Sequence, residues 1–192
     1  ENGAWRYLGT AHHLYAYFAT PGGVVTVHQR HALERITFEQ VLAAFSAEQP
    51  QPSQQLLFPQ SFELEPLTAA ALEGWLPLLE AHGLELEPFG RNFYRLTRYP
   101  AWLPESEVRG FVEDLLAHIR DGALSPQQVN LAREGLARLA ANRTAQARVT
   151  EIDPDELADA LLQCKQPLTS PAGKPTLLET TTGELERRFG KG

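Results

Sequence analysis

Val27-His28-Gln29-Arg30-His31-Ala32-Leu33-Glu34-Arg35-Ile36-Thr37-Phe38-Glu39 decides how this chain is read. Gly23 to Val27 enters it as an apolar strand. An amphipathic helix leaves it, with Phe38, Val41, Leu42 and Phe45 at the i, i+3, i+4, i+7 spacing of one helical face. A strand end feeding a helix start holds side chains over a rigid edge, which makes it a good place for chemistry. His28, His31 and Glu34 fall three residues apart. That spacing either gathers metal ligands or carries no chemistry, and spacing alone does not choose.

Upstream, Trp5 to Leu8 and His12 to Thr20 read as strands. Leu14, Ala16 and Phe18 alternate with Tyr15 and Tyr17, the period of a pleated sheet. Pro21-Gly22-Gly23 is the turn of a hairpin. Tyr15 and Tyr17 form either a partner surface or an ordinary half-exposed face. His12 and His13 read as structural.

Downstream, the helix ends near Ala47, and Gln49-Pro50-Gln51-Pro52-Ser53-Gln54 is a polar, proline-bearing linker that suggests a subdomain boundary. Leu67 to His82 reads as a helix capped by Thr68, kinked or stopped at Pro77 and closed by Gly83. Leu84 to Glu87 and Phe93 to Arg98 alternate like strands. Val108, Phe111, Val112, Leu115 and Ile119 mark a further helix. Ser125-Pro126-Gln127-Gln128 reads as a capped start for the helix carrying Val129, Ala132, Leu136 and Leu139. Asp153-Pro154-Asp155-Glu156 starts another, which Pro167 stops. Thr176 to Thr181 reads as a strand and Glu184 to Phe189 as a short helix. The fold class expected is α+β.

A chain of 192 residues can bury a real core, and its 43% hydrophobic content is ordinary for a globular protein. No apolar run reaches the roughly eighteen residues of a membrane span, and no signal peptide is expected. The single cysteine, Cys164, excludes an internal disulfide, fits a reducing cytoplasm and reads as a buried small residue. A net charge of −7 argues against a stand-alone DNA-binding domain, because phosphate contacts normally supply most of that affinity; a local basic patch is still compatible with it. Gly173-Lys174 fails as a phosphate loop, since Pro175 removes the hydroxyl and the upstream glycine is missing. Asn142-Arg143-Thr144 is a glycosylation sequon only in a secreted protein. Arg187-Arg188 reads as a helix C-terminal charge pair.

The opening stretch resembles the endonuclease motif of the MutL family of DNA mismatch repair proteins, D-Q-H-A-x2-E-x4-E. Gln29 stands at the glutamine, and Glu34 and Glu39 at the two glutamates. His28 stands for aspartate, Arg30 for histidine and His31 for alanine. Ser170-Pro171-Ala172-Gly173-Lys174-Pro175-Thr176 is similar to the family's C-P-H-G-R-P-T motif. Pro171, Gly173, Pro175 and Thr176 match, Lys174 replaces arginine, and Ser170 and Ala172 replace the two members that can hold zinc. The family's other cysteine-bearing motif should fall near Asn142 to Arg148, where there is no cysteine. Gln54-Gln55-Leu56-Leu57-Phe58-Pro59 is similar to the Q-x-x-L/I-x-P motif that contacts the sliding clamp of the replicase, with Gln54, Leu57 and Pro59 at the matching positions. The alternative for that segment is an edge strand containing a proline. Glu87-Pro88-Phe89-Gly90 before an aromatic strand also resembles the family.

Zinc needs three or four nitrogen, sulfur or carboxylate ligands, and two-metal phosphodiester cleavage needs more. Of the matched positions only Glu34 and Glu39 supply carboxylates, and Arg30 adds a permanent positive charge. The frame is kept and most of the chemistry is missing.

The resemblance therefore implies the C-terminal domain of a bacterial MutL of the kind without endonuclease activity. It implies no catalytic residue, no metal and no cofactor, with the family's ATPase in an N-terminal region outside this chain. It further implies a homodimer, built from a dimerisation subdomain of residues 1–57 and 138–192 and an inserted helix-rich regulatory subdomain of residues 58–137. The partners it implies are the mismatch recognition protein MutS, the sliding clamp, and a downstream nuclease or helicase. DNA would be met weakly or through the full-length protein, in the cytoplasm at the nucleoid and away from membranes. The competing reading is a metal-dependent nicking endonuclease with non-standard ligands around His28, His31 and Glu34, joined by His12 or His13. A third is an unrelated α+β binding domain, monomeric in solution.

Overall fold

A computed structural model describes residues 5–47 and 51–190. Gln49 and Pro50 of the expected linker lie outside the described residues. The chain divides into two compact units, residues 1–39 with 145–192 and residues 40–144.

The first unit is built on an antiparallel sheet of β1 (Arg6–Ala11), β2 (Tyr15–Thr20), β3 (Gly23–His28) and β7 (Leu177–Thr181), in the order β1-β2-β3-β7. The expected strand from His12 is shorter at its start. His12 and His13 both have φ of 53° and sit in the turn between β1 and β2, a left-handed conformation that no strand admits. The Pro21-Gly22-Gly23 hairpin turn is present, with Thr20 opposite Gly23.

One face of this sheet carries Ala16, Phe18, Val25 and Val27. They pack with Ala32, Leu33 and Ile36 from helix α1 (Gln29–Ser46), with Leu157, Ala158 and Leu161 from α6 (Pro154–Leu162), and with Ala145. Trp5 and Leu177 close the edges of this core. Asp153 caps α6, its Oδ1 accepting from the backbone N–H groups of Asp155 and Glu156 at 2.9 and 3.1 Å. A short α7 (Thr182–Phe189) follows β7, capped by Thr181.

The second unit contains an antiparallel sheet of β4 (Ser53–Glu63), β5 (Glu85–Pro88) and β6 (Phe93–Pro100), in the order β4-β6-β5. Its helices are α2 (Pro66–Glu73), α3 (Leu76–Ala81), α4 (Val108–Arg120) and most of α5 (Val129–Arg148). The single helix expected from Leu67 to His82 is two, broken at Gly74-Trp75. Pro77 sits in the first turn of α3, where its missing N–H costs nothing. Glu65, not Thr68, is the N-cap residue of α2; Thr68 is buried one turn in. Ser125 to Gln128 form a turn ahead of α5, whose first turn begins at Val129. Inside the unit Phe45, His82, Trp102 and Phe111 make a chain of ring contacts, with Phe45 stacked on His82 at 4.1 Å.

The divisions between units fall at 39/40 and 144/145, inside α1 and α5. The sequence reading set them at 57/58 and 137/138. The proline-bearing stretch attracted that boundary, yet its second half is drawn into β4, where Ser53 pairs with Pro100 and Gln54 with Tyr99.

Candidate functional site

The two motif segments meet in the first unit. β3 delivers His28 to the start of α1, and the loop from Leu168 to Thr176 lies against that junction. The backbone N–H of His28 donates to Thr176 O at 2.8 Å, and His31 Nδ1 lies 2.8 Å from Pro175 O. The loop is tight. Ser170 N–H donates to Lys174 O at 2.7 Å, Lys174 N–H to Ser170 Oγ at 3.2 Å, and Gly173 turns it with φ of 77°. Ser170 and Thr176 are buried, which anchors the loop through the small polar residues the motif retains.

His28 is at once strand end and helix cap. Its Nδ1 accepts from the backbone N–H of His31 at 3.2 Å, satisfying a first-turn donor of α1 and leaving the ring proton on Nε2. Burial first, then the neighbouring His31, Arg30 and Lys174, push its pKa below the ordinary histidine value, so the ring is neutral at pH 7. His31 stacks on it with centroids 3.5 Å apart and planes within 8°. Because a carbonyl only accepts, His31 must donate from Nδ1 to Pro175 O.

The carboxylates are engaged elsewhere. Glu34 Oε1 accepts from Arg30 Nε at 3.2 Å. Glu39 accepts two backbone N–H bonds, from Lys165 at 2.7 Å and Gln166 at 3.1 Å, and pairs with Arg35 at 3.5 Å. Arg35, buried, donates in turn to Thr169 O at 2.6 Å and so ties α1 to the start of the second motif. Sequence reasoning missed this arginine; its i, i+4 spacing to Glu39 was the available signal. Gln29 is buried, with Nε2 3.4 Å from His13 O.

These residues do not fit a metal. His28 has its Nδ1 lone pair used, His31 holds Pro175 O through Nδ1, Glu34 is bonded to a guanidinium, Glu39 holds backbone, and Ala172 offers no donor. Among the described residues no three His, Cys, Asp or Glu side chains group as a cation would need. His12 and His13 are exposed at their turn. Cys164 is half-buried, its thiol pushed up to about 11 by burial and by Glu39, which leaves it unionised and inert.

In the second unit the Gln54–Pro59 segment occupies a break in β4. Gln54 and Gln55 pair with β6, pairing resumes at Gln60, and the residues between bulge away. Leu56 points inward at 4% exposure, whereas Leu57 and Phe58 are 81% and 79% exposed. Tyr99, itself buried, donates its hydroxyl to Gln54 Oε1 at 2.7 Å.

Fold and site thus define a class: an α+β domain of two compact units in which the two motif segments meet and, among the described residues, no three His, Cys, Asp or Glu side chains group for a metal. Residues 8–151 match the model of the MutL C-terminal dimerisation domain, and the chain belongs to that family. It is similar to the DNA mismatch repair protein MutL of Opitutus terrae, 40% identical over 98% of this chain and 30% of that protein. It is also similar to the MutL of Akkermansia muciniphila, 34% identical over 96% of this chain, and to that of Symbiobacterium thermophilum, 33% over 97%. The chain spans about 30% of the length of these relatives. Among the described residues no helix is long and apolar enough to cross a membrane.

Proposed function

We propose that this chain is the homodimerisation module of a DNA mismatch repair protein, joining two ATPase arms that lie outside it and performing no strand cleavage of its own. The observation that carries the reading is the replaced ligand set: the motif frame is folded, while among the described residues no three His, Cys, Asp or Glu side chains group as a cation would need. A nuclease stripped of its metals still has a use if the scaffold pairs subunits.

The surface for pairing is the second face of the four-stranded sheet. There Tyr17, Thr26 and Leu178 form one cross-strand row and Ala19, Val24 and Thr180 the next, with Leu178 64% exposed. An apolar sheet face is buried most simply against its own copy across a two-fold axis. Light scattering at micromolar concentration is expected to give twice the mass of one chain; a single-chain mass would overturn the reading.

The bulge at Leu57 and Phe58 suits clamp recognition. An apolar pair already held out by flanking strand pairing loses little entropy on entering a pocket. MutS and a separate nuclease or helicase would be met through the full-length protein. Supercoiled plasmid incubated with manganese should stay supercoiled.

A further inference from the structure

We infer that Tyr99 is a positioning residue for clamp recognition: its hydroxyl holds the Gln54 side chain by the amide oxygen and so turns the amide N–H donors toward backbone carbonyls of the clamp. This rests on the reading of Gln54–Pro59 as the clamp-contacting segment, and it names the residue that readies that segment.

Gln54 and Tyr99 stand opposite each other in the β4–β6 register. Tyr99 is 4% exposed, so packing fixes its ring, whereas Gln54 is exposed. The contact between them is 2.7 Å long, the usual length of an O–H···O bond rather than of an N–H···O bond. An amide oxygen only accepts, so a hydroxyl that donates to it sets which way the amide faces. The NH2 group is then the end of Gln54 that a partner meets. Burial first, then the Glu105 carboxylate, push the Tyr99 pKa above the ordinary phenol value, so the hydroxyl keeps the proton it donates. Glu105, exposed in the single helical turn ahead of α4, is a second acceptor beside that hydroxyl.

Three residues on, Leu57 and Phe58 stand out from the bulge while Leu56 is buried. Strand pairing with β6 pins the backbone on both sides, at Ser53 to Gln55 and again from Gln60. One short stretch thus offers amide donors and an apolar pair to a surface with carbonyls beside an apolar pocket. Glutamine is among the side chains that lose most rotamer freedom when held, and Tyr99 imposes part of that loss on folding, before any partner arrives.

The test is binding of the intact chain to the purified sliding clamp of the same organism, measured by surface plasmon resonance. Tyr99→Phe keeps the ring and removes the hydroxyl. It should weaken binding about three- to ten-fold, with the circular dichroism spectrum unchanged. In a Gln54→Ala background the same change should cost nothing further, because the hydroxyl acts through that amide. Glu105→Gln should bind at least as tightly as the parent. Parent affinity in Tyr99→Phe, alongside a loss in Leu57→Ala, would overturn the inference and leave the clamp reading standing. An equal loss from Tyr99→Phe with and without Gln54 would also overturn it, by placing the effect in the fold. So would a loss in Glu105→Gln as large as that in Tyr99→Phe, since the hydroxyl would then serve Glu105. A parent chain that does not bind the clamp would overturn both readings.

Discussion

Glu39 illustrates how a motif letter can persist with different work. Its two oxygens hold the backbone at Lys165 and Gln166 and balance the buried Arg35, which itself holds Thr169. In glutamine one oxygen still accepts an N–H, while the other N–H faces an amide NH2 and the guanidinium loses its anion. Glu39→Gln is therefore expected to destabilise the fold by about 3 kcal/mol in urea unfolding, with no effect on any cleavage reaction. A stability change near zero would mean the carboxylate is free for other chemistry.

His82 makes a second residue-scale prediction. It is buried, stacked on Phe45, with Nε2 3.4 Å from Arg133 Nε, and its pKa is pushed down to about 4 by burial and then by Arg133. The unfolded chain takes up the proton near pH 6.5, the folded chain only near 4. Stability is complete above pH 6.5 and falls as pH drops from 6.5 toward 4, by on the order of 2–3 kcal/mol. Urea midpoints across that range should fall in the parent chain and fall less in His82→Phe. Parallel curves would refute the assignment.

At the scale of elements, β3 depends on Gly23. Its φ is 153°, and a Cβ there would stand 2.1 Å from Thr180 O, across the β3–β7 pairing. Gly23→Ala should cost about 2–4 kcal/mol in urea unfolding; a loss under about 0.5 kcal/mol would show that β7 can shift freely. Much at this scale was legible. The alternation in β2, the hairpin glycines and the Asp153-Pro154 cap are local signals, and local chemistry decides such elements. What escaped depended on distant partners. The register break at residues 56–59 needs β6 to exist. Thr68 looked like a cap because its burial inside α2 is a tertiary fact. The histidines at 12 and 13 continued an alternating pattern that the backbone abandons.

For the whole molecule, the two motifs signalled the family. Composition and spacing alone left nuclease, binding domain and scaffold all open. The meeting of residues 28–34 with 170–176, like what each side chain holds, was not legible, since contacts, tautomers and backbone partners appear only in three dimensions.

If the sheet's second face joins two copies, Leu178, exposed on that face, is the residue to change. Sedimentation equilibrium should find the parent chain dimeric at micromolar concentration and Leu178→Asp shifted to monomer, its dissociation constant raised at least about ten-fold with the circular dichroism spectrum unchanged. Equal self-association in both chains, or a monomeric parent, would contradict the account.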